Sequence, residues 1–199
     1  MKFKVNQHVL IPRPETEELV EWVISYFGLR TLDFKILDIG TGSGCIPISL
    51  AKKFPSAQIE AIDVSEEALE IAADNNRANG TQVNLYKLDI LSENLIVNKY
   101  DIIVSNPPYI AEDEKTNLAE NVLLFEPHLA LFAPDDALIF YNRISELAIS
   151  ALKPNGKLFF EIHESKGEEV VSLMKAAGFR NIELKKDMSG KNRMIKGEK

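Results

Sequence analysis

A chain of 199 residues, 45% hydrophobic and 27% charged, has the balance of a globular protein and the length for one domain with a sizeable core. Its formal net charge of −7 and pI near 5.1 exclude the basic balance usual in a free-standing nucleic-acid binder; a basic protein partner suits it better. Cys45 is the single cysteine, which excludes an intrachain disulfide and a cysteine-built zinc site. No stretch has signal-peptide order and no apolar run nears the ~20 residues that cross a bilayer, so a cytoplasmic protein with no membrane contact is expected.

The opening, Phe3 to Ile11, reads as extended and irregular, and Pro12 and Pro14 precede a helix from Glu15 to Phe27 that Gly28 stops. Lys35 to Ile39 is a first strand, followed by Gly40-Thr41-Gly42-Ser43-Gly44 and a helix from Cys45 to Phe54. Gln58 to Ile62 forms a second strand ending at Asp63. Ser65 then caps a helix that Asn79-Gly80 breaks. Val83 to Leu88 and Tyr100 to Ser105 are the third and fourth strands, ending at Asp89 and at Asn106-Pro107-Pro108-Tyr109. After a long polar loop come a helix from about Ala137 to Leu152, a turn at Pro154-Asn155-Gly156 and a fifth strand from Lys157 to Ile162. A helix from Gly167 to Ala177 leads to two closing strands near 181–186 and 193–196, antiparallel because too little chain separates them for a helical crossover. The alternation predicts an α/β fold, a doubly wound, mostly parallel, Rossmann-like sheet with an antiparallel C-terminal hairpin.

In such sheets ligands bind beyond the carboxyl ends of the strands, where Asp38, Gly40, Gly42, Gly44, Asp63, Asp89 and Asn106 all fall. The glycines permit tight turning and close approach of a ligand. Asp63, roughly 20 residues after the glycine loop, is placed to accept from ribose hydroxyls. Its other reading is a cap for the following helix, a task Ser65 already fills. NAD would suit the same geometry, but Gly-x-Gly-x-Gly departs from the dinucleotide fingerprint. Asp38 would repel a pyrophosphate and suits the amino group and sulfonium of S-adenosyl-L-methionine. Asp89 is placed for the adenine amino group, or is a solvated loop aspartate.

Asn106 offers a side-chain carbonyl, and Pro107 and Pro108 stiffen the backbone while removing N–H donors. Together they can accept both hydrogens of an NH2 group, with Tyr109 stacked on its flat face. An amide nitrogen is a poor nucleophile, so fixing both N–H bonds favours the pyramidal transition state. A rigid turn after a strand is the bland alternative. His8, His128 and His163 are scattered without ligand spacing, so no metal site is expected. Cys45 at a helix start is read as a packing residue rather than a thiolate with lowered pKa. Asp113-Glu114 and Asp135-Asp136 read as solvated loop charges.

Leu10-Ile11-Pro12-Arg13-Pro14-Glu15-Thr16-Glu17, the Asp38–Cys45 loop, Asn106-Pro107-Pro108-Tyr109-Ile110, Phe125-Glu126-Pro127 and Asp187-x-x-Gly190-x-x-Arg193 together resemble the release-factor glutamine methyltransferases over nearly the whole chain. The Asn-Pro-Pro-Tyr motif is shared with adenine and other amino methyltransferases; the other segments are far more specific. The resemblance implies methyl transfer from S-adenosyl-L-methionine, leaving S-adenosyl-L-homocysteine, to the glutamine amide of the Gly-Gly-Gln motif of bacterial class I release factors. It implies that Phe3 and the Arg13–Thr16 segment, Glu15 included, close over the methionine end, and that Thr41 and Ile90 join the cofactor site. Arg13 and Glu15 can otherwise be read as a surface ion pair. Catalysis and substrate binding then fall to Asn106, Pro107, Pro108 and Tyr109 in a monomer that does not bind nucleic acid directly.

Residues 1–33 are expected to form an extended segment and helix over the cofactor, and 34–199 the methyltransferase domain. Family members usually begin with a helical N-terminal domain, and this sequence opens almost at the catalytic one. After Glu161 the family often has a glycine and a glutamine where this chain has His163 and Ser165. A nucleic-acid amino methyltransferase, a ribosomal-protein glutamine methyltransferase and a non-catalytic cofactor-binding module are the competing readings.

Overall fold

The computed structural model describes residues 1–27, 34–110, 126–133 and 136–199. Gly28, Phe125, the acidic pair Asp113-Glu114, Asp135 and most of the polar loop from Ala111 to Pro134 lie outside the described residues.

Seven strands form one sheet in the order β3-β2-β1-β4-β5-β7-β6. They are β1 (Lys35–Ile39), β2 (Gln58–Asp63), β3 (Val83–Lys87), β4 (Tyr100–Ser105), β5 (Leu152–Glu161), β6 (Arg180–Lys186) and β7 (Asn192–Glu198). The first five run parallel; β7 is antiparallel to both β5 and β6. The C-terminal pair is therefore a hairpin, as its short connection requires. Its second strand, not its first, joins the parallel sheet. Strand order reverses between β1 and β4, the crevice where sheets of this kind bind ligands.

The central strands are apolar on both faces because helices cover both. Leu37, Ile103, Leu158 and Phe160 pack under one layer with Tyr141 and Ile144. Ile36, Ile102, Val104 and Phe159 pack under the other with Leu19, Val23 and Ile48. The layers are built from α1 (Pro14–Phe27), α2 (Cys45–Lys53), α3 (Glu66–Asn79), the single turn α4 (His128–Leu131), α5 (Ile139–Ala151) and α6 (Gly167–Ala177). The α4 turn lies where the sequence pattern predicts only a polar loop. No helix among the described residues is long and apolar enough to cross a membrane.

Local signals explain the boundaries. The Ser65 hydroxyl accepts from Ala68 N–H at 3.1 Å, and Gly80 closes α3 at φ 61°, a conformation cheap only for residues without a Cβ. The Pro154-Asn155-Gly156 turn is a bulge inside β5: Tyr100 pairs with Leu152, while Ile102 already pairs with Lys157.

Candidate active site

A cavity of about 490 Å³ opens beyond the carboxyl ends of β1 to β4. Its floor is the loop after β1, Asp63 to Ser65 after β2, Leu88 to Leu91 after β3, and Ser105 to Pro108 after β4. His8 to Leu10, Pro12 and Thr16 close it from the N-terminal segment, and Leu129, Ala130 and Phe132 from the α4 region. The Ser105 hydroxyl donates to the Ile39 carbonyl at 2.7 Å, holding the two strand ends at the switch point.

The glycine loop is held by its own backbone. Gly40 and Thr41 N–H both donate to the Ile62 carbonyl, Gly42 N–H to Asp63 Oδ2 at 2.8 Å, and Gly44 N–H to the Thr41 carbonyl. Gly40 and Gly42 have φ of 73° and 52°, and a Cβ at either would meet nothing within 4 Å, so conformation and not crowding demands glycine there. Gly44 differs: a Cβ there would lie 2.9 Å from Ile48 Cδ1 and 3.2 Å from Ala72 Cβ. It does not line the cavity; it lets α2 pack against α3.

Those engaged amides cannot cradle a pyrophosphate, and the surrounding charge is acidic. Asp38 is buried, and among the described residues neither its oxygens nor the Thr41 hydroxyl beside it makes a hydrogen bond of good geometry. Burial pushes the Asp38 carboxyl up to about 7; the Thr41 hydroxyl pulls it down and the charge of Asp63 raises it further. Asp63 is also raised by burial, against the N–H groups of Ser65, Gly42 and Val64. Orphaned buried acceptors beside carboxylates fit a ligand with N–H donors and positive charge. S-adenosyl-L-methionine meets that description, whereas the pyrophosphate of a dinucleotide would bring negative charge to these carboxylates. Asp38 stands behind the loop and does not itself line the cavity.

Among the other residues singled out from sequence, Thr16, Thr41, Asp63, Asp89, Ile90, Asn106, Pro107 and Pro108 line the cavity. Asp89 is partly engaged, accepting from Leu91 N–H and the Ser92 hydroxyl. Phe3, Arg13 and Glu15 do not reach its wall. Phe3 packs on the α1/α2 side of the core, and Arg13 pairs with Glu126 at 2.6 Å. Tyr109 also stands outside the lining; its ring lies 5.6 Å from that of His163, and burial pushes its phenol up to about 12. The departure from the family pattern at His163 therefore bears on Tyr109. The Cys45 thiol is pushed up to about 12 by burial, against Ser43, so the helix start does not activate it. Among the described residues no three metal-binding side chains gather.

Two residues that the sequence reading passed over organise the site. Asn75 Nδ2 donates to the carbonyls of Ser43 and Lys4 at 2.8 and 2.9 Å, and Oδ1 accepts from Lys4 N–H, stitching the glycine loop to the N-terminal segment. Its signal was present: it continues the apolar face Ala68, Ile71, Ala72 of α3. Glu161, at the end of β5, accepts from the Thr16 hydroxyl at 2.7 Å, and Asn106 Nδ2 donates to that hydroxyl at 3.3 Å.

Residues 23–131 match the family model of the methyltransferase small domain. The chain is 51% identical to the release factor glutamine methyltransferase of Flavobacterium psychrophilum, over 98% of this chain and 70% of that protein. It is 48% identical to the protein of that name from Bacteroides thetaiotaomicron, over 97% and 69%. A methyltransferase from Pyrococcus furiosus superposes with a TM-score of 0.69 at 19% identity, over 98% of this chain and 87% of that one, which is a likeness of fold. With its sheet order, acidic cofactor crevice and Asn-Pro-Pro-Tyr turn, the chain belongs to the release factor glutamine methyltransferase family.

Proposed function

We infer that the chain methylates the side-chain amide nitrogen of the glutamine in the Gly-Gly-Gln motif of bacterial class I release factors, with S-adenosyl-L-methionine as donor. The carrying observation is the state of Asn106. Its Nδ2 is engaged by Thr16 at the edge of the cavity, which leaves Oδ1 as the acceptor for an incoming NH2 group. S-adenosyl-L-methionine, when bound, supplies an electrophilic methyl on a sulfonium. Asp63 would hold its ribose, Asp89 and Ile90 its adenine, and Asp38, behind the loop, would favour its cationic end through charge.

Asn106 Oδ1 accepts one amide hydrogen and the Pro107 carbonyl the other, so the glutamine nitrogen is presented with its lone pair forward. Fixing both hydrogens favours the pyramidal nitrogen over the planar one, and positioning adds its entropic gain. The methylated nitrogen is acidic and sheds its proton to water, so no general base is required. His8 to Leu10, Pro12 and Thr16 wall the crevice and help exclude water from it. Tyr109, which follows the turn and packs against the core, supports the substrate pocket. The acidic balance favours action on a protein rather than on nucleic acid, and the enzyme is read as a cytoplasmic monomer.

Replacing the Asn106 side chain tests the reading. Asn106→Ala is expected to bind S-adenosyl-L-methionine within ~3-fold of the parent by calorimetry while losing ~100-fold or more in turnover on a release factor. Parental turnover would remove the side chain from the chemistry.

A further inference from the structure

Asn106, Thr16 and Glu161 come from three separate elements: the turn after β4, the first turn of α1 and the last residue of β5. Thr16 is 4% exposed and Glu161 1% exposed. A threonine hydroxyl has one proton to give, and an ionised carboxylate can only accept. The 2.7 Å contact between Thr16 Oγ1 and Glu161 Oε2 therefore takes the hydroxyl proton, and a lone pair of Thr16 is left facing Asn106. Only the NH2 end of the Asn106 amide can meet a lone pair. The Glu161 carboxylate also feels that amide directly, which imposes the same choice.

The choice matters because the two ends of an asparagine amide are nearly identical in shape, so packing alone does not select between them. An NH2 end turned to the cavity would oppose the N–H bonds of a glutamine amide with further N–H bonds. We propose that Glu161, acting through Thr16, is the positioning residue that sets the Asn106 amide with Oδ1 toward the substrate. The proposal rests on the role given to Asn106 above. It assigns Thr16 to the substrate side as well as to the wall of the cofactor crevice.

The groups facing Glu161 set when the relay holds. Arg193 on β7 favours its ionised form, and Glu15 on α1 opposes it. Tyr141 on α5 donates to the Glu161 backbone carbonyl at 3.3 Å. Tyr109 after β4 and Cys45 at the start of α2 lie within its electrostatic reach. Burial raises the carboxyl to about 7, with Thr16 pulling it down. Once protonated, Glu161 can donate to Thr16, whose own proton is then free to turn to Asn106, and the amide loses its fixed sense.

The test compares Thr16→Val, which keeps the shape and removes the hydroxyl, with Thr16→Ser, which keeps the hydroxyl. Turnover is measured at saturating S-adenosyl-L-methionine on a release factor, with cofactor Kd determined separately. Thr16→Val is expected to lose ~10-fold or more in kcat with cofactor Kd within ~3-fold, and Thr16→Ser to stay near the parent. Parental kcat should rise with pH between 6 and 8, and Glu161→Gln should flatten that rise. The relay is overturned if Thr16→Val turns over like the parent, if Ser is as damaging as Val, or if the pH rise survives in Glu161→Gln. Asn106→Ala is run beside them. If it is inactive while Thr16→Val is active, the relay alone fails; if it is active, the role of Asn106 fails first.

Discussion

Arg13 and Glu126 stand 113 positions apart in sequence and form an ion pair of 2.6 Å, which ties the segment before α1 to the segment before α4. Their neighbours Pro12 and Pro127 wall the cavity, so the pair holds two parts of that wall together from behind. The Glu126 side chain is 3% exposed and its Oε2 has no partner among the described residues, whereas the Arg13 side chain is 36% exposed.

That asymmetry sets the first prediction. Arg13→Ala strands a buried carboxylate and should destabilise the chain by ~1–3 kcal/mol, below the cost of breaking a fully buried pair. Adding Glu126→Gln should recover most of the loss. Denaturant unfolding of the two single variants and the double variant checks this; strict additivity would separate the two residues.

Asp38 yields a pH prediction for binding. Its carboxyl titrates at about 7 in the free chain, and a cationic ligand favours the ionised form. Below that pH, binding must displace a proton, so the Kd for S-adenosyl-L-methionine should rise about tenfold per pH unit. Asp38→Asn should bind more weakly at pH 8 and lose that slope. Calorimetry across pH 5.5 to 8 reads both, and an unchanged slope in the variant would place the titrating group elsewhere.

The same residue costs stability. Its folded pKa lies above its unfolded value of 3.8, so the folded chain holds the proton more tightly. Folding stability then falls as pH rises from about 4 to 7. Without cofactor, Asp38→Asn should be more stable than the parent at pH 8, by at most ~4 kcal/mol, and the advantage should vanish below about pH 4. Thermal unfolding at the two pH values decides it.

Gly40 and Gly44 separate conformation from crowding. Gly40→Ala should cost about 1–2 kcal/mol, the price of positive φ with a Cβ. Gly44→Ala carries that cost and also drives a methyl into Ile48 and Ala72, so it should lose ~1–3 kcal/mol more. Equal unfolding midpoints for the two would contradict the packing role of Gly44.

The fold was legible because each element carries a local signal: apolar runs in β1 and β4, the Ser65 cap, and the glycines at 80 and 178. The cavity floor was legible because strand-end residues converge by topology alone. Residues that act through long-range partners were harder to read. Nothing near Glu161 announces that it meets Thr16 across 145 positions, and nothing near Arg13 points to Glu126 rather than Glu15. The α4 turn leaves no signal in the sequence because four residues show no periodicity. The motif points Tyr109 toward the substrate; in the structure its ring packs against the core and lies 5.6 Å from that of His163, a neighbour that no local pattern announces.

The most direct test of the central claim is peptide mass spectrometry of a bacterial class I release factor after incubation with this chain and S-adenosyl-L-methionine. The account predicts one added methyl group on the glutamine of the Gly-Gly-Gln motif, absent when Asn106→Ala replaces the parent. A methyl on any other residue, or an equal yield from Asn106→Ala, would contradict it.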